Sequence, residues 1–280
     1  MTGERGPHTR GLPPAIVKGR GSLMDIRMIA VDLDDTLLHD DKTVSAYTVD
    51  VLRRCQARGI AVTFATARAP RVALRFAGAI NPDAASYYNG ARLVDFDGTQ
   101  TYNALTGAQA MEIMRIVCKY RPEEKFALEL DGEMRANFDM SFVRGCEDYV
   151  PDDFSHTPEG RVYYVLLDRV EPGDIERIAD MLPEYAMIRP CEATMALIIP
   201  RGADKFDGVK RMAESGGIPL ENVAAFGDDM TDVEMLRGCG VGVAVENAKP
   251  AVKAAADCVC ASNEQDGVAR WIAQNVLGEE

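Results

Sequence analysis

The chain has 280 residues, of which 47% are hydrophobic and 27% charged, and its 31 basic and 44 acidic residues leave a net charge of −13. The length suits one or two domains, and the composition is that of a globular protein rather than a collagen, a coiled coil or a disordered chain. The negative balance argues against a nucleic-acid partner held by phosphate neutralisation and against a surface resting on anionic lipid.

No apolar run reaches the roughly 18–20 residues that a membrane helix needs. Residues 1–24 are rich in Gly, Pro and Arg and read as a disordered tail without the apolar core of a secretory signal. The seven cysteines, 55, 118, 146, 191, 239, 258 and 260, are odd in number and show no C-x-x-C spacing. Reduced thiols and a cytoplasmic location are expected.

In chain order, Met28 to Leu33 is an apolar strand that stops at acids. Ser45 caps a helix whose Tyr47, Val51, Leu52 and Cys55 share a face, and Gly59 closes it. Residues 60–65 form a second strand, 68–78 a helix, and 85–88 a third strand. Continuous apolar strands joined by helices predict a parallel sheet covered on both faces. From 89 to 198 the texture changes. Residues 92–103 read as a hairpin turning at Asp97-Gly98, and 126–137 as another turning at Asp131-Gly132. Helices are predicted at 107–120 and 174–182, and strands at 162–167, 187–189 and 194–199. The earlier rhythm returns in strands at 223–227, 241–245 and 258–260. Helices are expected at 229–237, from Pro250 with Val252 and Ala256 facing inward, and around Val268, Ile272 and Val276. The predicted fold is α/β: a doubly wound, Rossmann-like parallel-sheet core at 25–88 and 199–280, with an α+β cap inserted at 89–198.

Acids follow two predicted core strands: Asp32 and Asp34 the first, and Asp228, Asp229 and Asp232 the strand at 223–227. Ligands of open α/β sheets bind at the carboxyl ends of the strands. If these two strands are neighbours, the acids converge and need a counter-charge, which a hard cation such as Mg2+ supplies well.

Asp32-Leu33-Asp34-Asp35-Thr36-Leu37-Leu38 resembles the first motif of haloacid dehalogenase-like hydrolases. Thr66, Lys205 and Gly227-Asp228-Asp229-Met230-Thr231-Asp232 match the second, third and fourth. Asn89-Gly90-Ala91, Glu246-Asn247-Ala248 and the stretch 263–272 narrow the resemblance to the Cof-type phosphatases, whose C2-type cap lies where the insert does. The ordered set spans about residues 26–276.

The resemblance implies a nucleophile at Asp32 that forms an aspartyl-phosphate, and a general acid and base at Asp34. It implies Mg2+ held by Asp32, the Asp34 carbonyl and Asp228, with Lys205 and Thr66 on the phosphoryl oxygens. Ala67, Arg68, Asn89 and Thr231 are further candidates for substrate or phosphate binding. Asp232, which would orient Lys205 or the metal's water shell, Thr36 and Asn247 support the site. Three positions depart from the family pattern. Ala67 stands where glycine is usual, Phe206 follows the lysine in place of glycine, and Thr231 replaces asparagine.

The implied activity is Mg2+-dependent hydrolysis of a small phosphorylated metabolite of the sugar-phosphate kind, by a monomer or weak homo-oligomer. A phosphomutase would use the same nucleophile, but 89–198 is acidic and holds no arginine cluster to grip a second phosphate. A receiver-like phospho-aspartate module would lack the long insert and the second acid, Asp34. Specificity is assigned to the cap, with Glu192, Thr194 and Met195 near its return as candidates, and His39 as a further candidate substrate contact.

Overall fold

The computed structural model describes residues 25–143, 148–191 and 194–279. The expected tail at 1–24, Cys146 and Glu192 lie outside them.

Strands β1 (Met28–Val31), β2 (Ala61–Ala65) and β3 (Ala84–Tyr87) are joined by helices α1 (Ala46–Ala57) and α2 (Pro70–Ala77), and β4 (Arg92–Val94) and β5 (Gln100–Tyr102) follow. The middle of the chain forms β6 (Leu105–Thr106), α3 (Gly107–Tyr120), β7 (Phe126–Glu129), β8 (Met134–Ala136) and β9 (Val150–Pro151). It continues through β10 (Arg161–Val162), β11 (Tyr164–Leu167), α4 (Pro172–Met181), β12 (Ala186–Cys191) and β13 (Met195–Pro200). Then come α5 (Lys205–Ser215), β14 (Val223–Gly227), α6 (Val233–Gly238), β15 (Val241–Ala244), α7 (Pro250–Lys253), β16 (Cys258–Val259) and α8 (Gly267–Ile272).

The large sheet has the order β16–β15–β14–β1–β2–β3–β4–β5. The six strands from β16 to β3 run parallel, and β4 and β5 add an antiparallel edge. The fold is therefore α/β, a doubly wound and mainly parallel sheet with an inserted α+β part. Every residue of β1, β2 and β14 is buried, which is why these segments read as unbroken apolar runs. In α1 the Ser45 hydroxyl accepts the Thr48 N–H at 3.0 Å. The helix buries Thr48, Val51, Leu52 and Cys55. Tyr47, expected on that face, is 39% exposed. It lies one position off the inward stripe, and the Arg270 guanidinium sits over its ring.

The second sheet has the order β12–β13–β11–β7–β8–β9, and β6 pairs with β10 in a separate ribbon. Two expectations change here. The hairpin expected to open the insert pairs with β3 and extends the large sheet. The strand expected at 162–167 divides at Tyr163: Val162 pairs with Leu105, whereas Tyr164–Leu167 pairs with β7 and, from Val165, with β13. Helix α2 starts at Pro70 because proline suits the first helical turn. The helix expected from 229 begins as a tight turn at Met230–Asp232 and becomes α6 at Val233.

Candidate active site

Strands β1 and β14 are parallel neighbours, with Val31 opposite Phe226. The residues just beyond them therefore emerge together at the carboxyl edge of the sheet. The Asp32 N–H extends the pairing by donating to the Phe226 carbonyl at 3.1 Å. Carboxylate oxygens of Asp32, Asp228 and Asp232 all lie within 4.8 Å of one another.

Lys205 opens α5 and is only 3% exposed. Its Nζ lies 2.8 Å from Asp32 Oδ1 and 2.7 Å from Asp232 Oδ1. The second oxygen of Asp232 accepts the Asp228 and Asp229 N–H groups, each at 3.0 Å. Asp232 is thus taken up at both oxygens, holding the lysine and the turn that carries Asp228. The Thr36 hydroxyl donates to Asp228 Oδ1 at 2.7 Å.

Burial pushes the Asp32 carboxyl well above the usual carboxylate range; Lys205 pulls it down, while Asp232 and Asp228 add to the rise. Asp228 is pushed up to about 6, mainly by burial, against the hydrogen bond from Thr36. Lys205 also rises above its ordinary value, because attraction to Asp232 and Asp32 outweighs burial.

Asp34 sits on the turn that follows β1. Burial works to raise its pKa, but Arg68 and Lys42 more than offset it and hold the carboxyl below its ordinary value. Arg68 clasps it with two nitrogens, Nη2 at 2.6 Å from Oδ1 and Nε on the other oxygen. Lys42 Nζ lies 3.0 Å from Asp34 Oδ1 and 2.8 Å from Asp35 Oδ1. Thr66 is buried at the end of β2, where its hydroxyl oxygen accepts the Arg68 N–H at 3.1 Å. Ala67, between them, is exposed.

The Asn89 N–H donates to the Thr66 carbonyl at 3.0 Å. Its buried Oδ1 has no hydrogen-bond partner among the described residues. Tyr88, Asn89 and Gly90 are all left-handed, at φ 53°, 53° and 92°. A run of that kind is costly and concentrates at functional sites.

Asp32, Thr36, Lys205, Asp228 and Asp232 thus come together, with half-buried Thr231 in the turn beside them. Thr66, Arg68 and Asn89 cluster at the ends of β2 and β3. Asn247 Nδ2 donates to the Asp35 carbonyl at 2.6 Å. Other candidates go elsewhere. His39 Nε2 lies 3.2 Å from Asp266 Oδ1 and is committed to that carboxylate. Met195 is buried in a small cluster with Ala127, Met134 and Leu166 in the second sheet. Thr194 is exposed in a turn, its carbonyl accepting the Val170 N–H at 2.7 Å.

Sequence reasoning missed Lys42, a lone lysine ten residues past Asp32. It also missed Glu129, which is fully buried, pairs with Arg71 and accepts from the Tyr88 hydroxyl at 3.0 Å.

Residues 29–272 match the family model described as haloacid dehalogenase-like hydrolase. The chain belongs to this family. A 5-amino-6-(5-phospho-D-ribitylamino)uracil phosphatase of Bacillus subtilis, YitU, is 28% identical over 269 residues, covering 88% of this chain and 96% of its own. The phosphatase YwpJ of the same organism is 27% identical, over 88% of this chain and 99% of its own. Among solved structures, a phosphatase from Bacteroides thetaiotaomicron superposes with a TM-score of 0.76 at 22% identity, over 92% of this chain and 97% of its own. Membership of a family in which phosphatases recur makes this member a hydrolase of phosphoric monoesters. Among the described residues no helix is long and apolar enough to cross a membrane.

Proposed function

We propose that the protein is a Mg2+-dependent phosphomonoesterase that hydrolyses a small sugar- or polyol-phosphate-like metabolite through an aspartyl-phosphate on Asp32. The observation that carries this reading is the buried Lys205 clasped between Asp32 and Asp232, with Asp228 beside them. The name of the Bacillus subtilis relative, a phosphatase for a phosphorylated ribityl compound, supports the substrate class.

The donor set fits Mg2+. It is made of hard oxygens, and burial holds the Asp228 carboxyl up at about 6 despite Lys205, so a further cation would favour its ionised form. Asp32, Asp228 and the Asp34 carbonyl would hold the ion, while Asp232 stays outside because both its oxygens are engaged. When bound, Mg2+ offsets the phosphate's charge and stabilises charge that develops during transfer.

The Asp32 carboxylate attacks phosphorus, and the bond to the leaving alkoxide breaks as Asp34 gives it a proton. Asp34 then takes a proton from water, which attacks the aspartyl-phosphate and releases phosphate. Arg68 and Lys42 keep Asp34 ionised at rest. An anionic substrate draws those cations toward itself, so that Asp34 takes up a proton from solvent before transfer and returns one to solvent after the water step. Lys205, Thr66 and Thr231, with the main chain at Ala67 and Arg68, bind the phosphoryl oxygens. The partnerless Oδ1 of Asn89 is an acceptor for a substrate hydroxyl. We assign the cap to the segment between β5 and α5, and the place of action to the cytoplasm.

Replacing Asp32 by Asn removes the nucleophile at almost constant shape. Hydrolysis of p-nitrophenyl phosphate with Mg2+ should fall by about 1,000-fold or more. Retention of activity in that variant would overturn the mechanism.

A further inference from the structure

Two turns carry the carboxylates of the site, 33–38 after β1 and 227–232 after β14. The first bends through a left-handed residue, Asp35, at φ 55°. Aspartate enters that conformation more readily than most side chains, and hydrogen bonds around the turn hold it there. The support comes from the far end of the chain. Asn247 Nδ2 donates to the Asp35 carbonyl at 2.6 Å. The other end of the same amide, Oδ1, accepts the Asn263 N–H at 3.1 Å.

Asn263 is 3% exposed. Its Nδ2 donates to the Leu38 carbonyl and to Asp40 Oδ1, both at 3.1 Å. The neighbouring Glu264 carboxylate accepts the Asp40 N–H at 2.7 Å. The segment that carries Asn247 is also tied to the second turn. The Lys249 N–H donates to the Asp228 carbonyl at 3.1 Å, and the Val245 N–H to the Gly227 carbonyl at 3.3 Å.

We propose that Asn247 and Asn263 are positioning residues that lock the 33–38 turn against the 227–232 turn and so fix Asp34 relative to Asp32 and Asp228. The proposal rests on the phosphomonoesterase reading above. The chemistry requires an amide at 247, since the side chain must donate at one end and accept at the other. A carboxylate there keeps the acceptor for Asn263 but sets an oxygen against the Asp35 carbonyl. Reacting groups must hold their places closely, and a displacement of about 1 Å can cost on the order of 100-fold in rate.

Asn247 is exposed, so its substitution leaves the buried core untouched. Asn247→Asp and Asn247→Ala should both lower kcat on p-nitrophenyl phosphate by about 10–100-fold, with KM changed less than about twofold. Amide hydrogen exchange should quicken at residues 35–40 in both variants and stay unchanged in α3 and the second sheet. Asn263→Ala should repeat both effects. The proposal is overturned if Asn247→Asp keeps wild-type kcat, or if exchange quickens evenly over the whole chain in step with the loss of activity. If the unsubstituted protein hydrolyses no phosphomonoester, the functional reading fails instead. The exchange pattern then tests the tie between the turns by itself.

Discussion

Lys205 carries the electrostatics of the site. It is a buried cation between two buried carboxylates, and each charge makes the others tolerable. Removing one partner of such a group leaves uncompensated charge behind, which costs about 3–5 kcal/mol. Lys205→Met should therefore lose stability on that scale in urea denaturation as well as losing activity. A lysine that only touched substrate would lose activity alone. At this scale the sequence was informative where chemistry demands a residue type. Acids immediately after apolar strands identify Asp32 and Asp228 because the strands themselves dictate where the chain emerges. The partners of Asp34 were less legible. Arg68 lies 34 residues away and Lys42 eight, and only the folded turn brings both to one carboxylate. Asn263 was legible only as part of a terminal motif, since its hydrogen bonds reach 225 residues back to Leu38.

At the scale of elements, the turn after β3 joins the two sheets to the site. Gly90 has φ 92°, and a Cβ there would stand 2.2 Å from the Asp204 carbonyl oxygen. Asp204 caps the helix that begins with Lys205. Gly90→Ala should cost about 1–3 kcal/mol through the backbone alone, measured as a fall in Tm, and should push the start of α5 away. The neighbouring Tyr88 ring stacks on Tyr163 at 4.1 Å between centroids, and its hydroxyl reaches Glu129. None of this could be read locally. Periodicity placed most strands and helices within a few residues, yet it assigned the hairpin of β4 and β5 to the insert. A two-stranded hairpin with a good turn looks the same whichever sheet it joins. Its edge position follows from pairing with β3, which is a tertiary choice.

For the whole molecule, the acid surplus on the chain conceals several carboxylates held by partners. Asp266 ties the terminal segment to α1 through Thr48 and to the loop before α1 through His39. Burial would raise its pKa, but hydrogen bonds from Ser45, Thr48 and His39 bring it below its ordinary value. A carboxyl lowered in the folded state adds stability above its unfolded pKa of about 4, and that stability is lost as the pH falls through the folded value. Asp131 and Asp174 are lowered likewise. Asp266→Asn should therefore be less stable than the unsubstituted protein at neutral pH, and the gap should shrink as denaturation curves are taken toward pH ~3. An equal gap at both ends of that range would show that Asp266 acts by shape and not by charge.

The position of β1 has a consequence for synthesis. Its neighbours in the sheet are β2, close behind it in the chain, and β14, with Met28 opposite Val223. A ribosome makes all the strands of the second sheet, from Phe126 to Pro200, before it reaches β14. The nascent chain thus holds the complete strand set of its second sheet while β1, which leads into Asp32, still has one bare edge. A bare edge is where chains adhere to one another. Strand β14 both covers that edge and leads into Asp228, so the growing protein gains its acid cluster only when β1 acquires its second neighbour.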